Sequence, residues 1–434
     1  MTVALVCALA NSASLLRERQ ASDRKLEQES VAQWLEWRHS PSALDPYFLS
    51  AQEQYAVLPP APLSLLCAGN SDLYRPAGKV YAWSTPASLF AQGELRNPTN
   101  LRADTFDLAF VMIYLLPLFI IALNFDLLSG EREGGTLALK LSQPVRVLQV
   151  LLAKMLIRAA VVFLLMMCAV GAGWAMLAGG SGFSLLVWTA AVCLYGAFWI
   201  ALSLAVNSFG FSSSTNALVL AGGWILLTAV IPIVIDSVVQ VRLPLSPRSE
   251  MILAGEEAEL NYSRERQTAL ERMWHEHPEY RAASGMPSNA RRAGLAAAFL
   301  LGQPVLEALE QRRRDVLRRR DEAVTNLQWL SPAVALQLAL ADLSGTGPAR
   351  YRDFRRQVDE FVHEQRRVYF PMVFRGEKLT AAGYDTPLRF RYEEESLGAV
   401  MRRVLVSAAV MASYLFVCVT VAVWRMGGYQ IHHA

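Results

Sequence analysis

Residues 106–125 read FDLAFVMIYLLPLFIIALNF, and the only charge among these twenty positions is Asp107, at the edge. A helix rises about 1.5 Å per residue and bilayer hydrocarbon is about 30 Å thick, so such a run spans a membrane as a helix. Pro117 is compatible with this, because neighbouring spans can satisfy the backbone groups a proline frees. Four further windows share the character: 155–178, interrupted by Arg158 near one end; 183–206; 216–235; and 405–424, closed by Arg425. Composition agrees. Apolar residues make up 53% and charged residues 18% of the 434, with a mean hydropathy of +0.25, against roughly a quarter charged in soluble globular chains.

The stretch 1–16 (MTVALVCALANSASLL) is apolar but short, about 24 Å as a helix. Two readings fit it: a signal peptide with Ala8-Leu9-Ala10 as the cleavage-like site, or a first span, short or truncated at its start. The lack of a Lys or Arg at its beginning favours the span. Charge sets the orientation. The loop 126–154 carries Arg132, Lys140, Arg146 and Lys154, with Arg158 just beyond, and excess Lys and Arg in a short loop mark the cytoplasmic side. Arg425 agrees; Arg402 and Arg403 do not, but they follow a long loop, where the rule weakens. The loop 207–215 is uncharged and adds nothing.

The fold class expected is an all-α integral membrane protein of about six transmembrane helices, with two large, mainly helical extracytoplasmic segments. The division is 1–16, first helix; 17–105, first outer segment; 106–236, helices two to five around the cytoplasmic loop 126–154; 237–401, outer helical domain; and 402–434, last helix and short tail. The first outer segment opens with a helical run and then turns proline-rich. The second contains charged, proline-free helical stretches, among them RRRDVLRRRDEAV, a solvated face.

Several chemistries are missing. The net charge of +3 makes no case for nucleic acid. There is no GxxxxGK[ST] phosphate loop, no HExxH and no GxSxG, and His275 and His277 point apart on a helix. Ser212, Ser213 and Ser214 lie in a short inner turn. Cys7, Cys67, Cys168, Cys193 and Cys418 show no CxxC spacing and read as small buried hydrophobes. Arg158 and Asp236 sit near span ends, where snorkelling accounts for them. Catalytic residues, cofactor-binding residues and metal ligands are therefore not expected.

Against this background SGEREGGTLALKLSQP, residues 129–144, stands out as a polar segment between two spans. Ser129 is a candidate cap, and Glu131 and Glu133 fall in the first turn of a short helix, where carboxylates complement its positive end. Gly134-Gly135 lets the chain turn, Thr136 is a second candidate cap, and the amphipathic run TLALKLSQ ends before Pro144. On physics alone this is either a rigid helix that receives a push from a soluble partner or a plain connection.

NFDLLSGEREGGTLALKLSQPVRVLQVLLAKML resembles the signature of ABC-2 type transporter permeases, in which a span ends in E-x-E-x-G-T-L and a basic residue like Lys154 follows. APLSLLCAGNSDLY, NPTNLRADTFDLAFVMIYLLPL and QWLSPAVALQLALADLSGTG resemble the branch carrying the domain of unknown function 3526. The resemblance implies a bacterial inner-membrane subunit that binds no cofactor itself, with ATP and Mg on a partner ATPase subunit, and that pairs with a second permease, identical or sister. It also implies that Glu131, Arg132, Glu133, Gly134, Gly135 and Thr136 lie at the surface meeting the ATPase. Leu137, Leu139, Lys140, Ser142, Gln143 and Pro144 would complete the coupling element. Three functions follow as expectations: an exporter permease, a mechanical transmitter acting through its outer segments, and a scaffold without an ATPase.

Overall fold

The computed structural model describes residues 1–38, 45–67, 77–85, 106–135, 147–176, 182–245, 250, 253–257, 260, 266–281, 290–377 and 389–427. Helices dominate. α1 (Thr2–Arg38) is one continuous rod, followed by the short α2 (Pro46–Ser50) and an antiparallel hairpin of β1 (Gln54–Val57) and β2 (Ala77–Val80), in register Ala56 to Gly78. α3 runs through Leu108–Phe110, a π turn at Val111–Leu115 and Leu116–Asn124. Then come α4 (Ser129–Glu133), α5 (Val147–Met176) and α6 (Gly182–Asn207). α7 runs through Ser213–Ile225, a second π turn at Leu226–Val230 and Ile231–Arg242. α8 (Arg266–Glu276), α9 (Ala290–Leu327), α10 (Pro332–Leu343), α11 (Pro348–Arg375) and α12 (Leu397–Gly427) complete the order.

Among the described residues, six helices are long and apolar enough to cross a membrane: Leu108–Glu133, Ala153–Gly173, Gly182–Asn207, Ser213–Arg242, Ala290–Leu330 and Leu397–Met426. Five coincide with the apolar windows of the sequence. The sixth lies in α9, and α1 is not among them. The apolar part of α9, from Ala293 to Phe299, is buried against α8 and α11 rather than left facing outward, together with Leu270, Met273, Phe370 and Phe374. Trp83 wedges into the same core, its indole N–H held by Ser50 Oγ at 2.8 Å. α1 has too short an apolar run to qualify alone. Its Leu5, Ala8 and Leu9 nevertheless join the cluster that holds α3, α5 and α6, and Asn11 donates to the Phe106 carbonyl at 3.1 Å.

α6 is the centre of the bundle. Trp188, Tyr195, Phe198 and Trp199 are fully buried on it, packed among α3, α10 and α12. The two π turns have a chemical cause. Pro117 and Pro232 lack the N–H that would close the preceding turn, so carbonyls upstream lose their helical partner. Side chains of neighbours replace it: Tyr195 Oη donates to Ile113 O at 3.0 Å and Trp224 Nε1 to Tyr114 O at 3.1 Å. Ser331 Oγ does the same for Leu227 O.

Ser331 also caps α10, whose apolar face is buried against α6 and α12, so the chain between α7 and α12 returns into the bundle. Arg403 of α12 fastens the end of α10, donating to Asp342 at 3.2 Å and to both oxygens of Glu395 at 2.8 Å. The cysteines divide. Cys67 and Cys418 are buried, whereas Cys7 lies exposed near the start of α1 and Cys168 on the apolar α5, contrary to the expectation of buried hydrophobes. On a span surface an apolar side chain gains nothing from turning inward, because lipid is as apolar as the core.

Candidate functional site

At one end of the bundle the spans are tied together by polar side chains. α4 follows α3 after a single turn, and its first helical residue is Ser129. Ser129 is not the cap that its sequence suggests: the cap position is Leu128, with no side-chain hydrogen bond. The Leu128 N–H donates instead to Asn207 Oδ1 at 3.3 Å, and Ser129 Oγ lies 2.9 Å from Ser213 Oγ and accepts from Asn216 Nδ2 at 3.2 Å. Asn207 is the hub. Its amide also donates to Asn124 O at 3.0 Å and Ser203 O at 2.8 Å, and its oxygen accepts from Asn216 at 3.3 Å. Ends of α3, α6 and α7 therefore meet at one buried side chain.

The charged residues of α4 divide by direction. Glu131 turns inward, 7% exposed, and forms an ion pair with Lys154 of α5. Arg132 turns outward and grips the loop between α6 and α7, donating to the carbonyls of Gly210 and, at 3.0 Å, Phe211. Glu133 caps that loop from the other side, accepting from Ser213 N and Ser213 Oγ at 2.8 Å each. Gly134 closes the helix onto Gly130 O at 3.0 Å, and Gly135 makes the turn with φ +67°, which only glycine adopts without strain. Arg158 does more than snorkel. Its guanidinium donates to Leu123 O and to Asp126 Oδ1 at 3.3 Å, pinning α5 to the end of α3.

Of the sequence-selected residues, Glu131 to Gly135 are thus brought together, with Glu131 as an internal anchor and Arg132, Glu133, Gly134 and Gly135 on the surface. Thr136, Leu137, Leu139, Lys140, Ser142, Gln143 and Pro144 lie outside the described residues. Lys154, which the sequence singled out, pairs with Glu131; the other partners of α4 are Asn216 and residues of the loop 207–215, which its lack of charge made uninformative. A signal was present nonetheless: Asn124 and Asn207 stand where apolar runs close and Asn216 where the next one opens, and an amide there needs hydrogen-bond partners that lipid cannot supply.

The family model described as ABC-2 family transporter protein matches residues 8–425. The chain belongs to the ABC-2 transporter family. As an ABC-2 transporter protein it is a multi-pass membrane permease, and the permeases of this family are generally non-enzymatic subunits that work with an ATPase subunit. No curated protein and no solved structure matches it. The ABC-2 match also gives α4 a context: the polar knot joins the turn after one span to two other spans and to the next inter-span loop.

Proposed function

We propose that this ABC-2 protein is the membrane permease of an exporter in the inner membrane, driven by separate ATPase subunits that carry ATP and Mg. It pairs with a second permease, a copy of itself or a sister chain. The observation that carries this is the construction of α4. A five-residue helix is too short to stand alone, yet its side chains are fixed to α5 through Lys154 and to α7 through Ser213 and Asn216, and the backbone N–H of its cap residue Leu128 is fixed to α6 through Asn207. A force applied to its exposed end is delivered to three spans at once. The chain has no phosphate loop of its own, so ATP closure on the partner supplies that force and rocks the spans.

A second reading is favoured by α9 and α11, which build a core of their own around Phe299 and Phe370 and connect downward through α10 into the bundle. Here the same push moves the outer helices, which act on outer partners without substrate passing between the spans. Co-purification of the full chain with its cognate ATPase tests both. Parent chain is expected to capture the ATPase and Gly135→Trp to lose it. Capture that is unaffected by Gly135→Trp and by Glu131→Ala would overturn the assignment, as would ATP hydrolysis by the purified permease alone.

A further inference from the structure

The loop between α6 and α7 carries two phenylalanines for which the chain provides no core. Phe209 and Phe211 are 43% and 44% exposed and belong to none of the buried apolar clusters of the described residues. Their rings are stacked, 5.9 Å between centroids and 6° between planes. The pair is held rather than loose. Arg132 of α4 fixes the backbone carbonyls of Gly210 and Phe211, Gly210 turns between them with φ +75°, and the Arg425 guanidinium rests 4.7 Å from the Phe209 ring centre. Three elements, α4, the loop and the end of α12, therefore present one ordered apolar pair edged by two arginines.

We infer that Phe209 and Phe211 form a second docking contact for the ATPase subunit, seated in an apolar recess of that subunit rimmed by carboxylates. The inference rests on the reading of α4 as the coupling helix and extends its surface to a second loop. Continuity is one argument: Arg132 and Glu133, the exposed charges of α4, both bond this loop, so a partner that reaches the end of α4 reaches the rings beside it. Charge is another, since Arg132 and Arg425 against the one carboxylate of Glu133 leave the edge of the pair net cationic. Position speaks against lipid as the occupant. The loop lies past the ends of both α6 and α7, in the layer of Arg132 and Glu133, where exposed hydroxyls of Ser212, Ser214 and Thr215 flank it. Preordering also matters, because side chains already stacked lose little freedom on binding.

The test is the affinity of the full chain, in nanodiscs, for its purified cognate ATPase. Phe209→Ala with Phe211→Ala is expected to weaken binding at least tenfold while the unfolding midpoint of the permease is unchanged. Ser214→Trp, which adds bulk to the exposed surface and removes no packing, is expected to weaken it similarly and decides the matter if the double variant unfolds. Affinity within twofold of the parent overturns the inference. If Gly135→Trp alone weakens binding, the coupling reading stands and the second contact fails; if no variant weakens it, both fail. Should the phenylalanine variants leave ATPase affinity intact and change only the preference for anionic over neutral nanodiscs, the rings are membrane anchors and the inference is overturned.

Discussion

Asn207 joins more elements than any charged residue at the knot. Its one amide holds Leu128, Asn124, Ser203 and Asn216 while only 1% exposed. Deleting a buried partner leaves the others unsatisfied, at about 1–3 kcal/mol. Asn207→Leu is therefore expected to destabilise the protein by about that amount, seen as a lowered unfolding midpoint in detergent; an unchanged midpoint would contradict the hub. Gly210 gives a backbone counterpart. Alanine at its φ of +75° costs about 1–2 kcal/mol, whereas Gly222→Ala, with open space where the new carbon would sit, should be neutral or slightly stabilising. Comparing the two midpoints isolates backbone strain from bulk. At this scale the sequence was readable only in part. The charges of Glu131 to Glu133 drew attention, but only Glu131 finds an opposite charge, Lys154; Arg132 and Glu133 bond backbone carbonyls, a backbone N–H and a hydroxyl, which hydropathy and charge rules do not weigh.

Among the elements, the spans were plain because a twenty-residue apolar run has few other uses. The π turns were not, since helical periodicity says nothing of a one-residue bulge; Pro117 and Pro232 are their visible trace. This gives a testable coupling. In the parent, Tyr195→Phe strips Ile113 O of its donor and is expected to cost about 1–2 kcal/mol. Pro117→Ala restores an N–H that can bond that carbonyl, so Tyr195→Phe should cost less in its background. A double-mutant cycle on unfolding midpoints measures this, and additive effects would refute it. α9 and α10 explain the remaining differences. α10 is too short an apolar helix to announce a place in a bundle, and the apolar half of α9 is as hydrophobic as a weak span. Only tertiary packing tells them apart.

The molecule as a whole combines an apolar helical bundle with a second core around α9 and α11, laced with ion pairs. Glu310 of α9 is 1% exposed and is held by Arg355 of α11 and by Arg314. Removing Arg355 leaves a buried, undercompensated carboxylate, so Arg355→Ala is expected to destabilise this unit by about 3–5 kcal/mol. Joint replacement, Glu310→Leu with Arg355→Met, should cost much less. Nearby, burial pushes the Asp359 carboxyl above its ordinary range despite Arg314 and Arg355. The folded state thus binds this proton more tightly than the unfolded chain. Its stabilising contribution is full below the ordinary carboxylate value and is lost as pH rises through the raised one. Asp359→Asn should flatten that fall in thermal melts across the acid range. Five of the long apolar helices could be read from hydropathy alone, but not the chain's return through α10. In the proposed assembly the surface end of α4 meets the ATPase. A photo-crosslinking amino acid at Gly134 in membranes containing the ATPase tests it most directly, with Glu276 on α8 as the comparison. Crosslinks to the ATPase from Gly134 and none from Glu276 are predicted; crosslinks from Glu276 with none from Gly134 would contradict the account.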